Sequence, residues 1–237
     1  PGAPGAPVQQ DISDRKSAEE RLITSLREKE TLLREVNHRT KNNMSIISSI
    51  LELQGAAMND RKVDLMVKDS TTRIRTMALA HEMLYKGKNL SRIDMRNYIT
   101  GLTELLINSS GVPEGKIRRF SDIENISLLI DIAIPCGLMI NEILTNSIKY
   151  AFPGKRKGTI SVIMKRSGKN EVTLIIGDDG VGVAKDIGIF QTKSLGLQLV
   201  REIATAQLHG SISANTDSGL VWQIKFRDDL YKERIKT

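Results

Sequence analysis

One stretch decides the fold of this 237-residue chain: Asn141-Glu142-Ile143-Leu144-Thr145-Asn146-Ser147-Ile148-Lys149-Tyr150. Glu142, Asn146 and Lys149 stand at positions i, i+4 and i+7, so a helix projects all three from one face. An acid, an amide and an ammonium group on one face suit a magnesium–phosphate site, because Mg²⁺ prefers oxygen ligands and lysine neutralises phosphate oxygens. For this segment alone, an ordinary polar helix face is the alternative.

Two glycine-bearing segments follow this helix. The first, Gly177-Asp178-Asp179-Gly180-Val181-Gly182, comes after a β-rich run at residues 172–176. Such a turn lets the backbone approach a ligand closely, and the Asp178 carboxylate can accept a hydrogen bond from an adenine amino group. The second, Ser194-Leu195-Gly196-Leu197, opens a later helix whose free backbone N–H groups attract phosphate. Each is weak alone, because a hairpin turn or an ordinary helix start explains it equally well.

The three segments occur in one order and at domain-scale spacing. This conjunction resembles the Bergerat-type ATP-binding domain of the GHKL superfamily, and the resemblance covers roughly residues 91–227. It implies that ATP and Mg²⁺ bind here, with Asn146 on the metal, Asp178 on adenine and Lys149 on the phosphates. It implies that Glu142 positions the metal shell or a water as a catalytic residue. The other nucleotide contacts that it implies come from Tyr150, Gly180, Gly182, Ser194, Leu195, Gly196 and Leu197.

Upstream of this domain the sequence predicts two long amphipathic helices. One apolar stripe runs from residue 22 to residue 50 and a second from residue 63 to residue 84, with breaks at Gly55 and Asn59-Asp60. Two helices alone enclose little core, so we expect the hairpin to pair with a second copy as a homodimeric four-helix bundle. The predicted fold class is α+β: an N-terminal two-helix hairpin for dimerisation and phosphotransfer, followed by an α/β sandwich ATP-binding domain.

The first helix carries Glu35-Val36-Asn37-His38-Arg39-Thr40-Lys41-Asn42-Asn43. This run resembles the H-R-x-K-N-N phosphoacceptor box of a sensor histidine kinase subfamily related to the HWE kinases, and residues 73–85 resemble its second helix. With Val36 in the helical seam, His38 points away from it, and an exposed imidazole is partly neutral at pH 7. The resemblance implies a protein histidine kinase that autophosphorylates on His38. The phosphoryl group would then pass to an aspartate on the receiver domain of a response regulator.

The chain departs from many histidine kinases directly after the phosphoacceptor. An acidic residue there helps to take the proton of the histidine in many of them, but this chain has Arg39. The base is therefore unassigned, with Glu35, one turn earlier, as a guess.

Several other residues are given structural interpretations. We expect His81 to be a packed core histidine, His209 to lie at a helix end and Trp222 to pack in the core from the last strand. The short segment 183–193 predicts a small ATP lid. Asp94 and Asp131 are each predicted to cap a helix.

Composition narrows the remaining classes of function. The net charge of +7 permits any polyanion, but aromatic residues make up only 4% of the chain, so no nucleic-acid partner is predicted. One cysteine, Cys136, excludes an internal disulfide and a multi-cysteine zinc site. No stretch is long and apolar enough to span a bilayer and no signal peptide is visible, so this fragment is expected in the cytoplasm, with the full-length protein left open as soluble or membrane-attached.

The predicted organisation has four parts: residues 1–10 as a flexible start or sensor-domain remnant, 11–88 as the hairpin, 89–230 as the ATP-binding domain and 231–237 as a tail. Residues 11–16 resemble the exit from a PAS sensor domain, which implies such a domain in the full-length protein. Three alternatives stay open: a GHKL-type ATPase or serine kinase without histidine phosphorylation, a non-catalytic dimeric scaffold, and a nucleic-acid binder.

Overall fold

The computed structural model of the chain describes residues 6–86, 91–183 and 194–229. Two antiparallel helices form the N-terminal hairpin: α1, Ala6–Met58, and α2, Arg61–Lys86. The predicted break between them is confirmed, since Asn59 has a φ of 47° and Asp60 Oδ1 accepts a hydrogen bond from the Lys62 backbone N–H at 2.7 Å. Helix α1 begins inside the segment that the sequence predicts to be flexible. The predicted lid segment, except for Val183, and the predicted tail lie outside the described residues.

Gly55, predicted as a break, instead lies inside α1. A Cβ on Gly55 would lie 2.9 Å from Val67 Cγ2, so its missing side chain serves the close approach of α1 and α2. Ion pairs fix the register of the hairpin, because Lys41 Nζ lies 2.7 Å from Glu82 Oε2 and Arg75 Nη2 lies 2.7 Å from Glu52 Oε1. The outer stripe of α1 stays exposed in the single chain at Leu22, Ile23, Leu26, Leu32, Leu33, Val36, Ile46, Ile47, Ile50 and Leu53.

The second part of the chain is a layer of helices on a mixed sheet. Its strands are β1 (Arg92–Asp94), β2 (Ile117–Ile123), β3 (Ser127–Leu129), β4 (Gly158–Arg166), β5 (Glu171–Asp178), β6 (Ser211–Asn215) and β7 (Leu220–Arg227). The five-stranded sheet has the order β2-β4-β5-β7-β6, with β2 parallel to β4 and the other pairs antiparallel, while β1 and β3 form a separate antiparallel pair. Burial alternates along β4, β5 and β7, so the helices cover one face.

Three helices form that layer: α3 (Met95–Ser109), α4 (Ile130–Asn146) and α5 (Leu195–Glu202). Turns of π-helix, Ser147–Ala151 and Ile203–Gln207, extend α4 and α5. The predicted Asp94 cap of α3 is confirmed, because its Oδ1 accepts a hydrogen bond from the Arg96 backbone N–H at 2.9 Å. The prediction that Asp131 caps α4 is wrong, since β3 runs directly into α4 and leaves Asp131 inside the first turn.

The C-terminal half of α2 packs into the same core as α3 and α4. Ala80 and Leu84 of α2 are buried in one apolar cluster with Tyr98 and Cys136. The Tyr98 hydroxyl donates a hydrogen bond of 3.1 Å to the backbone carbonyl of Thr76. The hairpin and the sheet domain are therefore in direct contact along α2, and we call this the docked arrangement.

Candidate functional site

A mostly apolar cavity of about 350 Å³ opens between α4, its π-helical extension and the ends of β5 and β7. Its size is in the range of small-molecule sites. Six residues predicted from the sequence line it, namely Asn146, Tyr150, Asp178, Gly182, Ser194 and Leu197. The sequence analysis did not predict the others, which are Ser147, Ala151, Val183, Leu220 and Trp222.

Asp178 is held in a fixed orientation at the end of β5. Its Oδ2 accepts a hydrogen bond of 2.6 Å from Ser147 Oγ, and its Oδ1 accepts one of 3.0 Å from the Gly180 backbone N–H. Asp178 and Ser147 are both buried. A carboxylate has about four acceptor positions, so Asp178 can still accept a hydrogen bond from a ligand amino group in the cavity.

The glycine turn after Asp178 is pressed against the end of α4. A Cβ on Gly180 would lie 2.4 Å from the backbone carbonyl oxygen of Ala151, and the next residue, Val181, donates its N–H to that oxygen at 3.0 Å. Gly182 has a φ of 69°, in the left-handed region that favours glycine. Both glycines are therefore required by backbone geometry at the cavity wall.

A second, more polar cavity of about 400 Å³ adjoins the first, and Asn146, Tyr150 and Ser194 line both. The remaining predicted site residues of this region, Glu142, Lys149, Leu195 and Gly196, are among its lining residues. Ser194 caps α5, since its Oγ accepts a hydrogen bond from the Leu197 backbone N–H at 3.4 Å. The far wall is built by α2, with Asp69 and Arg73 among its side chains.

The Glu142 carboxylate is bound by a residue of the hairpin. Arg73 Nε donates to Glu142 Oε1 at 2.7 Å and Arg73 Nη2 donates to Oε2 at 3.0 Å. Asn141 Nδ2 also donates to Glu142 Oε1 at 3.0 Å, whereas the buried Asn141 Oδ1 has no hydrogen-bond partner among the described residues. A Cβ on Gly196 would lie 2.4 Å from Glu142 Oε2, so the carboxylate rests directly on the start of α5.

Electrostatics in the second cavity come from two ion pairs between α2 and segment 141–150. The hydrogen bond that Arg73 donates to Glu142 is the largest cause that raises the pKa of Arg73 above its usual value, and the charge of Asp69 adds to it. Lys149 Nζ lies 2.8 Å from Asp69 Oδ1 in the second pair. Arg73 and Lys149, the cations among the described residues that line this cavity, thus each have an acidic partner.

His38 lies on the exposed surface of α1, away from both cavities. Its Nδ1 is 3.3 Å from Asn42 Nδ2, which as an amide nitrogen can only donate. Glu35, the guess for the base, is instead paired with Arg39 on the same helix face. Glu52 of α1 pairs with Arg75 of α2, so these two residues lie at the same level of the hairpin, close to Arg73. His38 precedes Glu52 on α1 by about four turns, and it therefore lies about 20 Å from that level along the helix axis.

The other two histidines lie outside the cavities. His81 is only half-buried, and burial lowers its pKa from the usual value. His209 is exposed, with a φ of 46° after the last turn of α5.

Sequence reasoning missed Ser147, Asp69, Arg73 and the cavity role of Trp222. Ser147 directly follows Asn146, so its place in the predicted site segment was the available signal. Trp222 is buried, as expected, but it also lines the first cavity. Asp69 and Arg73 stand four residues apart on one face of α2, but nothing in their spacing reveals a partner some 70 to 80 residues away.

Two family models match the chain, and they cover most of it between residues 35 and 229. A model described as histidine kinase matches residues 35–110. A model described as histidine kinase-, DNA gyrase B-, and HSP90-like ATPase matches residues 132–229. The chain belongs to the histidine kinases. Its ATPase-type domain contains the first cavity and one wall of the second, and its helical hairpin contains the other wall and His38.

Curated relatives and a solved structure are similar to this histidine kinase chain. The sensor histidine kinase PdtaS of Mycobacterium tuberculosis is 26% identical over 204 residues, which is 85% of this chain and 39% of that protein. Blue-light-activated histidine kinase 2 of Erythrobacter litoralis is 23% identical over 175 residues, 72% of this chain and 49% of that protein. The chain thus spans less than half of either relative.

The solved histidine kinase domain of the Erythrobacter litoralis EL346 blue-light activated histidine kinase superposes with a TM-score of 0.65 at 21% identity. The match covers 87% of this chain and 95% of that one. This match shows the same fold, a helical hairpin followed by a mixed sheet under helices.

The described part of the chain holds neither a metal-binding cluster nor a membrane-spanning helix. No group of three or more His, Cys, Asp or Glu side chains there could hold a metal ion. No helix there is long and apolar enough to cross a membrane.

Proposed function

We propose that this chain is the kinase core of a two-component sensor histidine kinase, which transfers the γ-phosphoryl group of ATP to His38. The observation that carries the proposal is the pair of adjoining cavities. They bring segment 141–150 and both glycine segments together around Asp178, in a chain whose hairpin exposes His38. A hydrolytic ATPase would need the cavities but not the exposed histidine.

The first cavity fits the adenine ring. Its apolar walls, including Trp222, would stack against the ring, while Asp178 would accept a hydrogen bond from the adenine amino group. The ribose and phosphates would then extend past Asn146 and Ser194, which line both cavities, into the second one. There the N-terminus of α5 and Lys149 would neutralise phosphate charge.

The donor set also fits Mg²⁺. This ion keeps several waters and takes only one or two protein oxygens beside substrate phosphates, so the half-buried Asn146 amide oxygen at the join of the cavities is sufficient. When bound, the ion would supply charge neutralisation to the phosphates. Glu142, one turn before Asn146, would order the waters of that shell.

The chemical step would be an in-line attack by His38 on the γ-phosphorus. Phosphoryl transfer asks the protein mainly for positioning and charge stabilisation, so an exposed imidazole is an adequate acceptor. The unprotonated ring nitrogen would form the bond to phosphorus as the bond from the γ-phosphorus to the oxygen of ADP breaks, so that ADP leaves and the remaining ring proton passes to water. The phosphohistidine would then pass its phosphoryl group to an aspartate on a response regulator receiver domain.

We also propose how the kinase assembles, which domain precedes it and where in the cell it acts. The exposed apolar stripe of α1 would pair with the hairpin of a second chain, because a single hairpin leaves these side chains in water. A PAS-type sensor domain would precede α1 in the full-length protein. A cytoplasmic location follows from the proposed substrates, ATP and a receiver domain.

Radioactive labelling tests the proposal. Purified protein is incubated with γ-labelled ATP and Mg²⁺, and the label is challenged with acid and with alkali. We expect acid-labile, alkali-stable label that is lost in His38→Ala and kept in His209→Ala, a control at an exposed histidine outside the site. Acid-stable label that persists in His38→Ala would instead show a serine kinase of the same fold.

A further inference from the structure

We infer that one surface of the ATP-binding domain, formed by Glu142 and Lys149, is shared by two competing partners: the α2 segment from Asp69 to Arg73 and the phosphates of the nucleotide. The docked arrangement is then a resting state that nucleotide binding destabilises. This inference rests on the proposed function, because it requires that ATP phosphates enter the second cavity.

The contacts themselves carry the first step. Arg73 holds Glu142 through two hydrogen bonds, and the side chains of this pair are only 20% and 10% exposed. Asp69 holds Lys149 in a half-exposed pair. Both partners on the ATP-binding domain are residues of segment 141–150 that face the second cavity. Lys149 cannot keep the Asp69 carboxylate and also give its full charge to a phosphate, so the two bind at each other's expense.

The second step depends on how far His38 lies from the second cavity along the hairpin axis. Phosphoryl transfer requires reacting atoms about 3–3.5 Å apart. In the docked arrangement the second cavity lies beside Asp69 and Arg73, about 20 Å along the hairpin axis from the level of His38. The ATP-binding domain must therefore leave this position before its nucleotide can reach the histidine of the same chain.

The third step distinguishes docking contacts that lie away from the cavities from docking contacts made by cavity residues. Ala80, Leu84, Tyr98 and Thr76 line neither cavity, so the packing of the first two and the hydrogen bond between the last two give the nucleotide no direct competitor. The pairs at Asp69 and Arg73 do involve cavity residues. A ligand shifts an equilibrium only through its differential affinity for the two states, and these pairs give the nucleotide that difference.

Calorimetric titration with Mg²⁺ and a non-hydrolysable ATP analogue tests the competition. Asp69→Asn removes one charge from the docking segment, and Asp64→Asn is the matched control, because the ion pair of Asp64 among the described residues is with Lys68, on α2 itself. We expect Asp69→Asn to bind the analogue about two- to fivefold more tightly than wild type, as a half-exposed ion pair allows, and to label His38 faster. Asp64→Asn should match wild type in both.

A distance measurement tests the movement. Spin labels at Lys62→Cys on α2 and Lys169→Cys in the β4–β5 turn report on the two parts of the chain, and the buried Cys136 stays unlabelled. We expect the analogue to broaden the distance distribution or shift it to longer values.

Three results would overturn the inference. Equal affinity of Asp69→Asn and wild type, with an unchanged label distance, would show that α2 and nucleotide do not compete. Weaker binding by Asp69→Asn would show that α2 belongs to the nucleotide site. No binding by wild type would refute the proposed function itself, which the other two results leave standing.

Discussion

Ser147 Oγ donates a 2.6 Å hydrogen bond to Asp178 Oδ2, and this contact joins the end of the α4 helix to the end of strand β5 across the floor of the first cavity. Both residues are buried, so the carboxylate keeps one orientation. The hydroxyl thus positions the acceptor that we assign to adenine.

Ser147→Ala is expected to weaken binding of the ATP analogue by about two- to tenfold, because a freed Asp178 carboxylate loses the orientation that the hydroxyl imposes. Trp222, the one tryptophan of the chain, lines the same cavity, so its fluorescence reports the titration. Ser213→Ala, at an exposed serine of β6, is the control. Wild-type affinity in Ser147→Ala would remove the serine from the site.

Gly180→Ala is expected to lower the free energy of unfolding by about 1–3 kcal/mol and to weaken nucleotide binding, since the new Cβ would overlap the Ala151 carbonyl oxygen. Urea unfolding followed by circular dichroism measures the first effect. The control is Gly168→Ala, where the nearest atom to the new Cβ, Glu171 Cβ, lies at an ordinary contact distance of 3.5 Å. Equal stability of the two variants would contradict the close packing of the glycine turn.

His81 is expected to make stability depend on pH. Burial lowers its pKa in the folded state, so the unfolded chain binds the proton more readily. The stability contributed by His81 is therefore present above the unfolded pKa, about 6.5, and is lost as the pH falls toward the folded pKa.

Comparing the free energy of unfolding at about pH 7.5 and pH 5.5 measures the effect of His81. His81→Asn should show a smaller loss than wild type, while His209→Asn, at an exposed histidine, should lose as much as wild type. Equal losses in all three proteins would assign the pH dependence to other groups.

Much of the fold follows from local signals in the sequence. The β-rich run at residues 172–176 lies within β5, where burial alternates as expected for a sheet with one covered face. The predicted helix break at Gly55 is wrong. Glycine usually weakens a helix, but here its missing side chain makes room for Val67 of the facing helix. A packing reason of this kind lies in the partner helix and not in the local sequence.

The candidate site likewise has residues that could be predicted from the sequence and contacts that could not. The resemblance of the three ordered segments to the GHKL superfamily implies that Asn146, Asp178 and Ser194 belong to one site, and the structure places them around adjoining cavities. The partners of Glu142 and Lys149 were not predictable. Arg73 and Asp69 reach them only through the contact of the hairpin with the ATP-binding domain, which no helical period encodes.

Mass spectrometry of a single tryptic peptide tests directly whether His38 is the phosphoacceptor. Trypsin cleaves after Arg34 and Arg39, and the peptide between them, residues 35–39, contains His38 and no serine, threonine or tyrosine. The protein is incubated with Mg²⁺ and ATP and digested without exposure to acid. We expect a phosphoryl group on this peptide at His38. Phosphorylation of other peptides only, in a protein that binds ATP, would contradict it.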